Sequence, residues 1–337
     1  MKHITLKIIP EMELLGGVQS QTNWIKKEGP DGKGNKYFQA LKAFFSNYKG
    51  HRAVKLSQQL TDSKFTYDAP PAFICHLGPL PDLELKYEYS EYLLGRAKER
   101  QLLEDFRLAL IELAAESDFL SFYQKWEPYL ERFAEKSKQG FRQKEIEKWL
   151  IDFFGWSPGG FHLILAPSMF PGGGYGASVT NHAGQIIAFQ ILCDWGTSDN
   201  DPILPAGIAL ENLTVHELSH SFVNPYIDAY PKRAAKLEHL YKPVKEIMAK
   251  QAYNNVTIFL YETVIRAIEI LFAREFFPPE QEQKILDFHQ EWGFYLTGFV
   301  VEQLEHYQAD RALYPTFKEF VPYLLDELKS VPVPDTI

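Results

Sequence analysis

Two histidines stand four positions apart, with a glutamate directly after the first, in the segment His216-Glu217-Leu218-Ser219-His220. In an α-helix, residues at i and i+4 lie on one face, so two imidazoles at this spacing can bind one metal ion. Zinc held by two histidines and a carboxylate keeps a position open for water and lowers the pKa of that water towards neutrality. Glu217 can then accept a proton from the water as it attacks a carbonyl carbon. The spacing therefore predicts a zinc site with His216 and His220 as ligands and Glu217 as the general base.

A third protein ligand is predicted on the apolar segment from Thr257 to Phe276. The segment is apolar around nearly its whole circumference, which indicates a buried helix. Glu262, Arg266 and Glu269 form one charged stripe along it, and buried charges require partners. One interpretation is an internal ion-pair triad that holds the helix in place. The other interpretation, favoured by the upstream motif, makes Glu262 the third zinc ligand, with Arg266 and Glu269 supporting the ligands from behind.

Two interpretations compete with a catalytic zinc site. The motif helix can belong to a non-catalytic protein that uses its polar residues in the core, or that keeps only a structural or vestigial metal. A di-iron carboxylate centre would use the pair Glu217-x-x-His220, but such bundles need a second E-x-x-H pair on another helix. The sequence contains no second pair. Zinc content together with hydrolytic activity separates a zinc-dependent hydrolase from the non-catalytic protein.

The sequence patterns of the helices and strands that must position these residues predict an α+β fold that is mostly helical. Helical periodicity extends almost throughout from Leu83 to Phe154, with Gly140 as a stop. Apolar strands follow at Phe161 to Met169 and at Gly184 to Trp195. From Ile208 onwards the pattern is again helical. Interruptions are predicted near Asn224-Pro225, Asn254-Asn255, Pro278-Pro279 and Pro315. We therefore expect a mainly helical N-terminal region (1–155) and a catalytic region (156–337), or one continuous domain.

A further strand is predicted within the glycine-rich stretch Pro171 to Asn181. An edge strand before the motif helix can pair with an extended peptide, which makes Tyr175, Gly176 and Asn181 candidate substrate-binding residues. A mobile hairpin loop explains the glycines equally well. Asn224, one turn after the second histidine, either orients that histidine or ends the helix.

The oxyanion formed during hydrolysis also needs a hydrogen-bond donor. The candidates from the sequence are Tyr261, His306, Tyr307, Arg311 and Tyr314.

An HExxH motif followed by a glutamate on a later helix resembles the gluzincin branch of the zinc metallopeptidases. Metzincins extend the motif with a glycine and a histidine where this chain has Val223 and Tyr226, and the aspzincin GTxxD pattern lies downstream, whereas Gly196-Thr197 lies upstream. The chain departs from gluzincins at Arg266, because the residue four after the glutamate is often aspartate there. The chain is also similar to a bacterial family of domains of unknown function with HExSHxFVNP-type helices and YGAS-type strands, a family inferred to be zincin-like.

The resemblance covers roughly residues 160–275. It implies a zincin-like fold, with a small sheet packed on the HExxH helix and a helical C-terminal lobe. It also implies Zn2+ as the cofactor and a peptide or protein as the substrate.

Composition and charge narrow the classes of partner. A net charge of −9 and a pI near 5.6 disfavour nucleic acids and anionic membranes, because both require a basic surface. Cys75 and Cys193 are too few for a disulfide framework or a cysteine zinc site. The first residues lack the unbroken apolar run of a signal peptide, so we expect a cytoplasmic protein, or a secreted one if the chain is a processed form. The oligomeric state is left open.

Overall fold

The computed structural model describes residues 4–24, 34–169 and 174–333, and its fold is α+β with 62% helix, as predicted. Contacts divide the chain into two compact units. The first comprises residues 1–143 and 158–210, and the second comprises residues 144–157 and 211–337. The three predicted strands lie in the first unit, where they share an apolar core with the N-terminal helices.

The first unit contains a mixed sheet of four strands in the order β1-β2-β4-β3. The strands are β1 (Thr5–Ile8), β2 (Gly160–Ala166), β3 (Gly174–Thr180) and β4 (Ile186–Cys193). Strand β2 is parallel to both of its neighbours, whereas β3 is antiparallel to β4. Strand β2 is almost entirely buried, as expected for a continuous apolar run in the interior of a sheet. A two-residue hairpin, β5 (Thr197–Ser198) with β6 (Asp201–Pro202), follows the sheet.

Seven helices accompany the sheet in the described part of the first unit. They are α1 (Pro10–Gln19), α2 (Lys36–Phe44), α3 (Arg52–Asp62), α4 (Ala69–Cys75), α5 (Glu91–Ala97), α6 (Arg100–Glu116) and α7 (Phe119–Lys138). Apolar side chains of α1, α6 and α7 form one buried cluster with Ile164 of β2 and Ile191 of β4. The predicted helical stretch begins at Glu91 rather than at Leu83, because Leu85 forms an isolated β-bridge with Leu77.

The second unit is built from helices. They are α8 (Gln143–Phe154), α9 (Gly207–Asp228), α10 (Pro231–Ala235), α11 (Glu238–Tyr241), α12 (Lys245–Lys250), α13 (Val256–Phe276), α14 (Pro279–Glu291), α15 (Thr297–Ala309) and α16 (Phe317–Glu327). Gly140, at a φ of +74°, separates α7 from α8 as predicted, since glycine tolerates this backbone conformation without a steric penalty. No helix of the described ranges is both long enough and apolar enough to span a membrane.

Helix α9 carries the HExxH motif and continues past Pro225, so the predicted interruption at Asn224-Pro225 is wrong. Proline removes one hydrogen-bond donor from the helix, but the residues around it are held by burial. The ring of Phe222 stacks on Phe154 at 4.1 Å, and Ile227 is buried. Packing of this face therefore outweighs the lost hydrogen bond.

Helix α13 is the buried apolar helix expected from the sequence. It begins at Val256, and Asn255 caps it by accepting a hydrogen bond from the backbone N–H of Ile258 at 3.0 Å. Glu262 and Glu269 lie among its buried residues. The second unit therefore contains both helices that bear the predicted metal ligands.

Candidate metal centre

The two histidines of the motif lie side by side on α9. Their ring centroids are 5.0 Å apart, and the side chains of His216 and His220 are 13% and 20% exposed. Most of their neighbours on α9, including Val215 and Leu218, are fully buried. The imidazoles are thus accessible to a small ion on a helix that is otherwise largely enclosed.

The carboxylate of Glu262, on α13, faces both imidazoles. Its Oε2 lies 3.6 Å from Nε2 of His216, and its Oε1 lies 3.6 Å from Nε2 of His220. Potential ligand atoms of the three residues all lie within 4.8 Å of one another. Two donors of a tetrahedral zinc site with ordinary bond lengths are separated by about 3.4 Å. The spacing of this group therefore suits a zinc ion, and the structure brings together the three residues predicted as ligands.

The other ring nitrogen of each histidine is occupied. Nδ1 of His216 is 2.5 Å from Oε1 of Glu269, and Nδ1 of His220 is 3.1 Å from Oδ1 of Asn224. Oxygen acceptors at Nδ1 favour the proton on that nitrogen, which leaves the lone pair of Nε2 directed towards Glu262. Of the two roles considered for Asn224, the structure supports the contact with His220, because the helix does not end there.

The predicted charged stripe on α13 separates into two sets of contacts. Arg266 forms an ion pair with Oε2 of Glu262, and its guanidinium stacks on the ring of Phe294 at 3.9 Å. Glu269 contacts His216 instead. It also accepts a hydrogen bond from Asn212 at 2.5 Å and lies 3.3 Å from His289. The stripe is thus arranged around the histidines as well as within the helix.

Burial and nearby charges set the protonation of the carboxylates in opposite directions. Burial raises the pKa of Glu217, and this effect outweighs the two imidazoles that lower it. Burial also acts to raise the pKa of Glu262, but Arg266 and the imidazoles outweigh it and lower the pKa to about 2. Glu262 is therefore an ionised candidate ligand, whereas Glu217 is a stronger base than an ordinary glutamate.

The same balance of burial and nearby charge sets the pKa values of Glu269 and His216. Burial acts to raise the pKa of Glu269, but His289 and His216 outweigh it and keep the pKa below its usual range. Burial acts to lower the pKa of His216, and Glu269 and Glu262 outweigh it and raise the pKa. The carboxylates of Glu217, Glu262 and Glu269 outnumber the guanidinium of Arg266, and the raised pKa of His216 favours a proton there that offsets part of this excess of negative charge. A divalent cation would take the place of that proton as the counter-charge.

The candidate oxyanion donors from the sequence are engaged elsewhere. The phenol of Tyr261 bonds to Asp228, and that of Tyr307 donates to the carbonyl oxygen of Phe153. Arg311 donates to the carbonyl oxygens of Phe153 and Pro315. The rings of His306 and Tyr314 pack together with that of Tyr323.

Tyr253, which sequence reasoning missed, has a phenol on which the charges of Glu262, Arg266 and Glu217 act. The guanidinium of Arg266 lies 5.9 Å from the centroid of the tyrosine ring. Burial, with the charges of Glu262 and Glu217, raises the pKa of Tyr253 to about 12, so the phenol keeps its proton. Its position just before α13 was the signal in the sequence. Because the chain has 18 tyrosines, that position alone did not distinguish Tyr253 from the others.

The predicted substrate-binding residues lie in the first unit. Tyr175 and Gly176 belong to β3, which is an edge strand of the sheet, and Pro171 to Gly173 lie outside the described residues. Asn181 serves the turn after β3. Its Oδ1 accepts hydrogen bonds from the backbone N–H groups of Ala183 and Gln185, so the hairpin accounts for this side chain without a substrate.

One family model matches nearly the whole chain, over residues 7–326. The chain belongs to the DUF4932 family, a domain of unknown function. The DUF4932 match includes both units and all of the candidate metal ligands. A search of the curated proteins and a search of the solved structures each found no match to the chain.

Proposed function

We propose that this DUF4932 protein is a zinc-dependent hydrolase, and specifically a metallopeptidase. The observation that carries the proposal is the convergence of His216, His220 and Glu262, with Glu217 on the same helix as the histidines. Two imidazoles and one carboxylate form a ligand set found in catalytic zinc sites. Hydrogen-bonded Nδ1 atoms and an excess of negative charge add support, since both favour a bound cation.

Each side chain at the centre has a role in hydrolysis. Bound zinc would polarise the scissile carbonyl and lower the pKa of the attacking water. Glu217 accepts the proton that the water loses as its oxygen bonds to the carbonyl carbon. The same carboxyl group then delivers this proton to the amine nitrogen as the C–N bond breaks, which returns Glu217 to its starting form. Its raised pKa suits both transfers.

Tyr253 supplies a hydrogen-bond donor for the developing oxyanion. Its phenol keeps its proton at neutral pH, and its ring lies beside Arg266, which also contacts the candidate ligand Glu262. A donor positioned before the reaction stabilises the negative charge on the carbonyl oxygen without reorganisation. A peptide substrate is favoured because the HExxH spacing, with a glutamate as the general base, is that of zinc metalloproteases.

The test combines metal content with activity. The full chain is purified, dialysed, and assayed for bound zinc and for cleavage of a peptide library by mass spectrometry. A stoichiometric zinc, with cleavage that a chelator abolishes and added zinc restores, is the expected result. Bound zinc without cleavage would favour the alternative, a non-catalytic protein with a structural metal. A chain that binds no zinc would overturn the proposal.

A further inference from the structure

Three side chains hold the carboxylate of Glu269, and they divide its two oxygens between them. Oε1 lies 2.5 Å from Nδ1 of His216. Oε2 accepts a hydrogen bond from Nδ2 of Asn212 at 2.5 Å and lies 3.3 Å from Nε2 of His289. One oxygen therefore contacts the candidate metal ligand, while the other is anchored from behind.

The anchoring contact from His289 comes from a different helix. Asn212 and His216 both belong to α9, one turn apart, whereas His289 belongs to α14. The side chain of His289 is 5% exposed, and neither of its ring nitrogens makes a hydrogen bond of regular geometry among the described residues, so Nε2 meets Oε2 of Glu269 as a polar contact at 3.3 Å. Burial of an imidazole is costly unless a polar contact offsets it. The contact with Glu269 is the interaction that explains why a histidine occupies this position.

We infer that His289 is a positioning residue for the metal ligand His216 and acts through Glu269. The inference rests on the proposed zinc site and extends it to α14. By fixing Oε2, His289 limits rotation of the carboxylate, so Oε1 stays directed at Nδ1 of His216. That contact fixes the orientation of the ring and the direction of its Nε2 lone pair.

The second histidine is supported in a different way. Nδ1 of His220 contacts Asn224, which lies four residues further along the same helix. This support is local to α9 and does not involve α14. Loss of the imidazole at position 289 should therefore disturb one ligand and leave the other in place.

The test compares variants that keep or remove the donor at the position of Nε2. His289→Gln places an amide N–H near the position of Nε2, whereas His289→Leu removes the donor with little change in volume. Zinc affinity is measured by competition with a chromophoric chelator. We expect His289→Leu to weaken zinc binding about 10-fold or more, the range found when partners of ligating histidines are removed, and His289→Gln to stay close to wild type.

A double-mutant cycle tests whether the effect passes through Glu269. Glu269→Leu removes both acceptor oxygens, so adding His289→Leu to this variant should weaken zinc binding no further. If His289 had a purely structural role, His289→Leu would lower the unfolding temperature of the metal-free protein and leave the zinc affinity of the folded protein unchanged. The loss of stability would also appear in the Glu269→Leu background. That pattern would overturn the inference, as would equal losses in the Gln and Leu variants.

Two further outcomes are separated by the choice of readout. If His289→Leu does not fold, His289→Asn replaces it, because the shorter amide does not reach Glu269. The affinity measurement requires no turnover. Tight zinc binding by a wild-type chain that cleaves no peptide would overturn the proposed activity, and the inference would still stand or fall on the variants. A wild-type chain with no measurable zinc affinity would overturn both.

Discussion

Nδ1 of His216 lies 2.5 Å from Oε1 of Glu269, although 53 positions separate the two residues in the sequence. A neutral imidazole carries one proton, so a proton directed at Glu269 leaves Nε2 free as the candidate metal-binding atom. That nitrogen is 3.6 Å from Oε2 of Glu262. The carboxylates of Glu262 and Glu269, two turns apart on α13, thus lie next to opposite nitrogens of the His216 ring.

Replacement of the general base should separate catalysis from metal binding. Glu217→Gln keeps the shape of the side chain and its ability to hydrogen-bond, but an amide cannot accept the proton. We expect zinc content to remain at the wild-type level and the rate of peptide cleavage to fall by about 10²–10⁴-fold. Glu246→Gln, at an exposed position of α12, is the control and should have no effect. A fully active Glu217→Gln protein would show that another group takes the proton.

Replacement of a ligand should abolish zinc binding itself. His220→Ala and Glu262→Ala each leave two protein ligands, too few for a tightly held zinc. Because a ligand that binds only the folded state raises its stability, added zinc should increase the unfolding temperature of wild type and of neither variant. His182→Ala, which replaces an exposed histidine in a turn of the first unit, should respond like wild type. A zinc-dependent shift in Glu262→Ala would argue against this carboxylate as the third ligand.

The candidate metal ligands could be predicted from the sequence because their signals are local or chemically unusual. His216 and His220 follow from helical geometry alone, and Glu262 is a charge in an apolar helix. The buried strand from Phe161 and the interruption before α13 near Asn254-Asn255 were likewise predicted, because each depends on neighbouring residues.

The supporting residues could not be found in the same way. His289 meets Glu269, and Tyr253 lies beside Arg266, through tertiary packing that no spacing in the sequence records. Pro225 misled the prediction because burial of one face keeps the helix intact despite the missing donor. Asn181 was a candidate for substrate binding, but it has the ordinary chemistry of a turn.

Removal of the phenolic donor should slow catalysis without affecting the metal. Tyr253→Phe keeps the ring beside Arg266 and deletes only the hydroxyl group. Loss of one oxyanion donor typically lowers kcat by about 10²–10³-fold, and we expect an effect of this size with unchanged zinc affinity. Tyr295→Phe is a suitable control, since its hydroxyl donates to the carbonyl oxygen of Leu240. Equal activity of Tyr253→Phe and wild type would assign oxyanion stabilisation to another group.

Removal of the Arg266 guanidinium should destabilise the metal-free protein more than removal of the Arg274 guanidinium does. Arg266→Met leaves the carboxylate of Glu262 buried without its ion-pair partner, and breaking such a pair costs about 3–5 kcal/mol. Arg274→Met, on the same helix, removes an arginine that is 44% exposed, and its loss should cost less than about 1 kcal/mol. Both values are measured by urea unfolding in the presence of a chelator.

Zinc should reverse part of the loss in Arg266→Met, because the cation would take over as the counter-charge for Glu262. The difference in unfolding free energy between Arg266→Met and wild type should therefore be smaller in zinc than in chelator. For Arg274→Met, whose partners Glu282 and Glu305 are not candidate ligands, the difference should be the same in both conditions. If zinc leaves the Arg266→Met deficit unchanged, the guanidinium and the metal do not share Glu262, and Arg266 has only a structural role.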